Sequence, residues 1–155
     1  MKFSSESEMN KMVRKLLKDK VIAYVNSDIQ ILESDKSFDI PLCKQGDDPK
    51  LFFLELKCHQ SKHGRLGIGH GKGGGFQIEI LKRNIDYFEK YLRWLIAYPE
   101  KYPNKYLFVE TNDIKKFAAG GEIGDKFNNI KLSIFQQYKL LDDDELINYL
   151  KKWLD

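Results

Sequence analysis

No apolar run in this 155-residue chain approaches the roughly 18 residues needed to cross a bilayer, which argues against a membrane-spanning helix. The opening stretch MKFSSESEMNKMV has no apolar segment of the kind found in secretory signals, so a cytoplasmic chain is expected. Cysteine is scarce. Cys43 and Cys58 are too few for a disulfide framework and suit a reducing compartment. There is no Pro/Ser-rich linker, internal repeat or low-complexity tract, and the length suits one domain, so residues 1–155 are read as a single unit. An excess of one charge is also lacking: 26 basic against 23 acidic residues leave +3, which permits a polyanionic partner without demanding one. What is present is material for a core. With 42% hydrophobic residues, 10 Phe, 8 Tyr and 2 Trp beside 32% charged residues, the composition is that of a globular rather than a disordered chain.

Met9, Met12, Val13, Leu16 and Leu17 recur at helical spacing behind the S-x-x-E signature of Ser5 and Glu8, which predicts a helix over 5–18. Strand-rich stretches follow at 21–25, 29–33, 38–44 and 51–57. The last two are joined by QGDDPK, whose turn chemistry predicts an antiparallel hairpin. Pro41 inside the first of them points to an edge or bulged position. The segment HGRLGIGHGKGGG holds seven of the chain's 11 glycines and reads as a loop. Apolar spacing then predicts a long helix from Phe76 to about Ala97, closed by Pro99. A strand is expected at 105–110, then a brief helix capped by Thr111 or Asn112 and ending at Gly120-Gly121. A further strand is expected at 130–136. The last helix has an acidic start at Asp142–Asp144, runs through Leu146, Ile147, Leu150 and Trp153, and ends with lysines that suit its dipole. Helices on a mixed sheet make an α/β architecture.

Asp39 stands at the start of one strand of the predicted hairpin, and Glu55-Leu56-Lys57 ends the apolar run of the other. Alternation puts Glu55 and Lys57 on one face and Leu56 on the opposite one, and the hairpin can bring Asp39 beside them. Two carboxylates suit a hard cation such as Mg²⁺ or Mn²⁺, and the ammonium can hold or deprotonate a water, which together suggests phosphodiester hydrolysis. The alternative is a solvated hairpin end where Lys57 only pairs with an acid.

The order helix, Asp at a strand start, Glu-x-Lys at the end of the next strand, then helix resembles the PD-(D/E)xK nuclease superfamily, which includes type II restriction endonucleases and Holliday-junction resolvases. The motif reads FD at 38–39, with Phe38 in the usual proline place, and ELK at 55–57. The resemblance spans about residues 5–110. It implies a restriction-endonuclease-like core of αβββαβ order, a central mixed β-sheet flanked by helices. It further implies that Asp39 and Glu55 ligate one or two divalent ions and that Lys57 positions the attacking water. An acid from the first helix, for which Glu6 is the choice, and a glutamine from the following helix, for which Gln77 is the candidate, complete the catalytic set it implies.

Between residues 56 and 83 six basic side chains face one acid, Glu79, so this stretch carries +5 against +3 for the whole chain. The charge is focused where the Glu-x-Lys strand leads into the glycine segment. His59, Lys62, His63, Arg65, His70, Lys72, Lys82 and Arg83 are the expected DNA contacts, to phosphates or, for Arg65 and Lys72, to guanine edges. A flexible solvated loop is the bland alternative. GIGHGKG is not a phosphate-binding P-loop, because Leu66 stands where Gly is needed and Gly73 where Ser or Thr is needed. Cys58, His59, His63 and His70 offer an alternative zinc set. The expected function is a Mg²⁺-dependent DNA endonuclease, with type II restriction endonuclease as the favoured subtype and a homodimer presenting two sites. A junction resolvase or repair nuclease is the alternative in the same chemistry, and a non-catalytic nucleic-acid-binding module the alternative in a different class.

Overall fold

A computed structural model describes residues 1–25, 28–33, 38–60, 66–67, 83–117 and 129–155. The first helix, α1 (Glu6–Leu16), starts where expected: Ser5 is its N-cap, its hydroxyl accepting from the Glu8 N–H at 3.2 Å. The reciprocal half of the capping box is shifted by one residue, since the Glu8 carboxylate accepts from the Ser4 N–H at 2.8 Å. The helix then widens into a π-helical turn, Leu17–Val21, and a 3-10 turn, Ile22–Tyr24. Residues 21–24 are therefore helical and Val25 is extended only as the cap that ends the turn, where a strand was expected over 21–25. Val13, Leu17 and Val21 are all fully buried, and the wider turn brings residues four apart closer to one line than an α-helical step does.

Strands β1 (Ile29–Ile31), β2 (Ile40–Lys44) and β3 (Lys50–Cys58) form an antiparallel meander, with Ile29 opposite Lys44 and Ile40 opposite Leu54. Gly46 in the β2–β3 turn takes φ +134°, a conformation open to glycine. A two-residue strand, β4 (Leu66–Gly67), lies inside the glycine-rich segment, which is thus not loop throughout. Helix α2 (Ile85–Tyr91) leads directly into β5 (Leu92–Ala97), which returns parallel to β3. The helix expected to continue to Ala97 thus ends at Tyr91, and its earlier part, residues 76–82, lies outside the described residues. LRWLIA is buried along nearly its whole length between two neighbouring strands, and such a run satisfies helical spacing by accident of composition.

Strand β6 (Tyr106–Glu110) pairs antiparallel with β5, and α3 (Thr111–Phe117) begins with no intervening cap. The Thr111 hydroxyl is engaged elsewhere: it donates to the Leu92 carbonyl at 2.9 Å and accepts from Trp94 Nε1 at 3.1 Å. The expected stop at Gly120-Gly121 lies outside the described residues. Only Asn129–Ile130, β7, is a strand in the stretch 130–136, paired with β4; a turn and α4 (Ile134–Gln137) follow, burying Ile134 and Phe135. The final helix, α5 (Asp143–Leu154), has a complete capping box between Asp142 and Glu145.

The main sheet runs β1-β2-β3-β5-β6 and is mixed. On one face Leu42, Leu54, Leu56 and Leu95 pack with Met9 and Val13 of α1 and Leu146 and Leu150 of α5. On the other, Leu92, Trp94, Ile96 and Leu107 pack with Phe88 of α2 and Ile114 and Phe117 of α3. The result is a helix–sheet–helix sandwich. No helix among the described residues is long and apolar enough to cross a membrane.

Pro41, expected at an edge or bulged position, lies in an internal strand, and the reason is local. β1 ends at Ile31, so Pro41 faces Leu32 just beyond it. The Leu32 N–H donates to the Pro41 carbonyl at 2.9 Å, but Pro41 has no N–H to return to the Leu32 carbonyl. Arg14 supplies that donor. Its Nη1 donates to the Leu32 carbonyl at 3.0 Å and its Nη2 to the Asp39 carbonyl at 2.8 Å, while Nε donates to Asn10 Oδ1 at 2.8 Å. One guanidinium on α1 thus secures the end of β1 and the entry to β2. Replacing Arg14 with Leu is expected to lower unfolding free energy by about 2 kcal/mol in urea titrations, because two part-buried carbonyls lose a charged donor. A loss below about 0.5 kcal/mol would remove this account of Pro41.

Candidate active site

β3 is longer than β2. Ile40 pairs with Leu54, and β3 continues four residues further to Cys58, so its edge there has no β2 backbone to meet. Carboxylates fill the gap. Asp39, immediately before β2, accepts from the Leu56 N–H at 2.8 Å, and Glu6, in the first turn of α1, accepts from the Cys58 N–H at 3.2 Å. Both expected acids are therefore delivered to the end of β3 by backbone donors that the sheet leaves over.

Alternation along β3 turns Leu54 and Leu56 into one core and puts Glu55 and Lys57 together on the opposite face. Lys57 Nζ lies 2.7 Å from Glu55 Oε1, and the two side chains are only 10% and 5% exposed. The second Glu55 oxygen, Oε2, is buried with no hydrogen-bond partner among the described residues. Native proteins rarely leave such an atom unpaired, and an anionic one is costly.

The charges are strongly coupled. Burial, then the Glu55 carboxylate, pushes the Asp39 carboxyl up to about 7, against the opposing pull of the Leu56 N–H and Lys57. For Lys57, burial works against the ammonium, but Glu55, Glu6 and Asp39 outweigh it and hold its pKa above the ordinary lysine value. Lys57 is a cation here, suited to holding a water or a phosphate oxygen rather than to removing a proton. Next along β3, burial followed by the charges of Glu6 and Glu8 pushes the Cys58 thiol up to about 11.

The structure thus brings together Glu6, Asp39, Glu55 and Lys57. Other expected residues fall differently. His59 was expected on a surface loop in contact with DNA, yet it is 3% exposed and sits edge-on to Tyr98 with ring centroids 4.3 Å apart, which leaves little room for a phosphate. Arg83 is exposed, just ahead of α2. Gln77, Lys62, His63, Arg65, His70, Lys72 and Lys82 lie outside the described residues, so of the alternative zinc set only Cys58 and His59 are described. Sequence reasoning missed Asn10 and Arg14, which hold the Asp39 backbone from α1. Their spacing of four on one helix was a visible signal, but nothing in it named the carbonyls they would meet.

Among the described residues no three His, Cys, Asp or Glu groups are gathered as metal ligands. The donor set still fits a hard cation in chemistry: Asp39 and Glu55 offer carboxylate oxygens, and Glu55 Oε2 is buried with no hydrogen-bond partner among the described residues.

Because folded Asp39 holds its proton up to about 7 against an ordinary 3.8, the native state carries more protons than the unfolded chain between those values. Stability in EDTA therefore falls as pH rises from about 4 to about 7, by up to about 3 kcal/mol. Urea titrations across that range should show the decline in the parent protein and a flatter profile in Asp39→Asn. Equal slopes in the two would contradict the placement of Asp39.

Comparison with protein-family models, with curated proteins and with solved structures gives no match to this chain.

Proposed function

We propose that the chain is a divalent-cation-dependent DNA endonuclease of PD-(D/E)xK type. The observation that carries this reading is the convergence of Asp39, Glu55 and Lys57 at the end of β3, with one buried Glu55 oxygen that has no hydrogen-bond partner among the described residues. A purely structural role fits the same atoms poorly. Two neighbouring carboxylates repel, a buried ion pair contributes less than well-packed apolar side chains of similar size, and the orphaned oxygen adds to the cost. Such expense at one place suggests a functional site.

The order of elements supports the same reading. Within the main sheet, leaving aside the two-residue β4 that pairs with β7 in a second sheet, helix α1, the meander β1–β3, helix α2 and strand β5 parallel to β3 are compatible with the αβββαβ order of the superfamily. Asp39 and Glu55 would hold the cation. When bound, that cation supplies positive charge to the phosphate oxygens as the new P–O bond forms. Lys57 contributes a fixed ammonium that can donate to the attacking water or to a phosphate oxygen, and its pairing with Glu55 fixes its direction. Glu6 reaches the same end of β3 and adds negative charge near Lys57. In sequence, the +5 stretch between residues 56 and 83 begins at this end of β3, and its charge would attract a polyanion. Type II restriction endonuclease is the favoured subtype, and a homodimer would present one site to each DNA strand.

Supercoiled plasmid incubated with the protein should be nicked or linearised in Mg²⁺ or Mn²⁺ and remain intact in EDTA. Lys57→Ala is expected to lower the rate by about 100-fold or more, in the range reported for loss of one transition-state donor. Discrete fragments would identify restriction, and selective cutting of four-way junctions a resolvase. Salt-sensitive DNA binding with no cutting under any divalent ion would leave the non-catalytic binding module as the correct reading.

A further inference from the structure

On the sheet face opposite Glu55 and Lys57, near the start of β3, lies a cleft of about 690 Å³ between the sheet and the C-terminal half of α5. Its aromatic walls include Phe52, Tyr91, Phe108 and Trp153. Phe52 and Phe108 meet the Trp153 ring edge-on, with centroids 5.4 and 5.8 Å away. Such contacts hold the indole in a defined orientation. The lining side chains comprise six cations and three acids, Glu110, Asp113 and Asp155.

Most of those cations are already engaged. Lys44 donates to the Asp155 carbonyl at 2.5 Å, Lys50 lies 3.2 Å from Asp48, Arg93 lies 3.3 Å from Glu110, and Lys139 pairs with Glu145. Lys90 and Lys152 are exposed and have no ion-pair partner among the described residues. Arg93 also lies over the Trp153 ring, 6.0 Å from its centroid, so the cleft offers aromatic rings, one already faced by a guanidinium, beside two ammonium groups with no ion-pair partner among the described residues.

We infer that this cleft binds a nucleotide unit, its base against the Phe108–Trp153 wall and its phosphate at Lys90 and Lys152. The size suits such a ligand, whose aromatic base and anionic phosphate match the two halves of the lining. An acidic peptide would meet the same cations but would leave the aromatic wall without a matching group. The unit can be a free nucleotide or part of a single strand, since the chemistry is shared. The inference is independent of the cleavage reading: Phe52 and Glu55 are on opposite faces of β3, and nothing here requires a metal.

The chain has two tryptophans, and Trp94 is fully buried, so quenching by a stacked base reports on Trp153. The full-length Asp39→Asn protein in EDTA, titrated with adenosine monophosphate and separately with a short oligothymidylate, is expected to show saturable quenching by at least one of them. Quenching by the mononucleotide assigns the site to free nucleotides; quenching by the oligomer alone assigns it to single strands. Lys90→Glu and Lys152→Glu alter exposed side chains and should each weaken binding by about tenfold with unchanged melting temperature. Absence of quenching by both ligands at millimolar concentration would overturn the inference. So would equal affinity in both charge-reversal variants, or equally tight binding of an abasic oligomer, measured by its competition with the quenching ligand.

Discussion

Everything at the candidate site depends on β3 extending beyond β2. Four residues of β3 have no β2 backbone beside them, and a sheet edge in that position must find other acceptors for its N–H groups. Asp39 and Glu6 provide them. The same hydrogen bonds that complete this edge bring two acids, one from the entry to β2 and one from α1, toward Glu55 and Lys57. Arg14 extends the arrangement outward, because the carbonyl it grips belongs to Asp39 itself. Helix α1, the entry to β2 and the end of β3 are thereby fastened at a single place.

The electrostatics at that place are unfavourable for a resting protein. Burial and Glu55 drive Asp39 toward its neutral form, Lys57 is held charged by nearby carboxylates, and one Glu55 oxygen has no hydrogen-bond partner among the described residues. Lys57 offsets only part of the negative charge. A divalent cation is the simplest addition that would satisfy the orphaned oxygen and relieve the repulsion between the acids. On the proposed reading the site is arranged for a divalent cation, and a nuclease centre would use Glu6, Asp39, Glu55 and Lys57 together.

Features written in local chemistry were legible in the sequence. The caps at Ser5 and Asp142, the QGDDPK turn with Gly46, and the period-two alternation that pairs Glu55 with Lys57 all act over a few residues. Where tertiary burial decided the outcome, periodicity misled. LRWLIA is a strand because it fills the sheet between β3 and β6, and residues 21–24 stay helical because Val21 continues the buried line of Val13 and Leu17. His59 is polar by type, yet it is packed against Tyr98, a contact that no sequence spacing announces. Arg14 is the instructive omission: its partners are carbonyls of Leu32 and Asp39, brought to it only once β1 has ended and Pro41 has left an acceptor unfilled.

The central claim is that Asp39 and Glu55 form a cation site. Mn²⁺ binding followed by electron paramagnetic resonance tests it directly, because the free-ion signal falls as the ion enters a protein site. The account predicts saturable loss of that signal with the parent protein at near-neutral pH and little loss with Glu55→Gln of unchanged melting temperature. A free-ion signal undiminished by the parent protein at millimolar concentration, or diminished equally by both proteins, would contradict it.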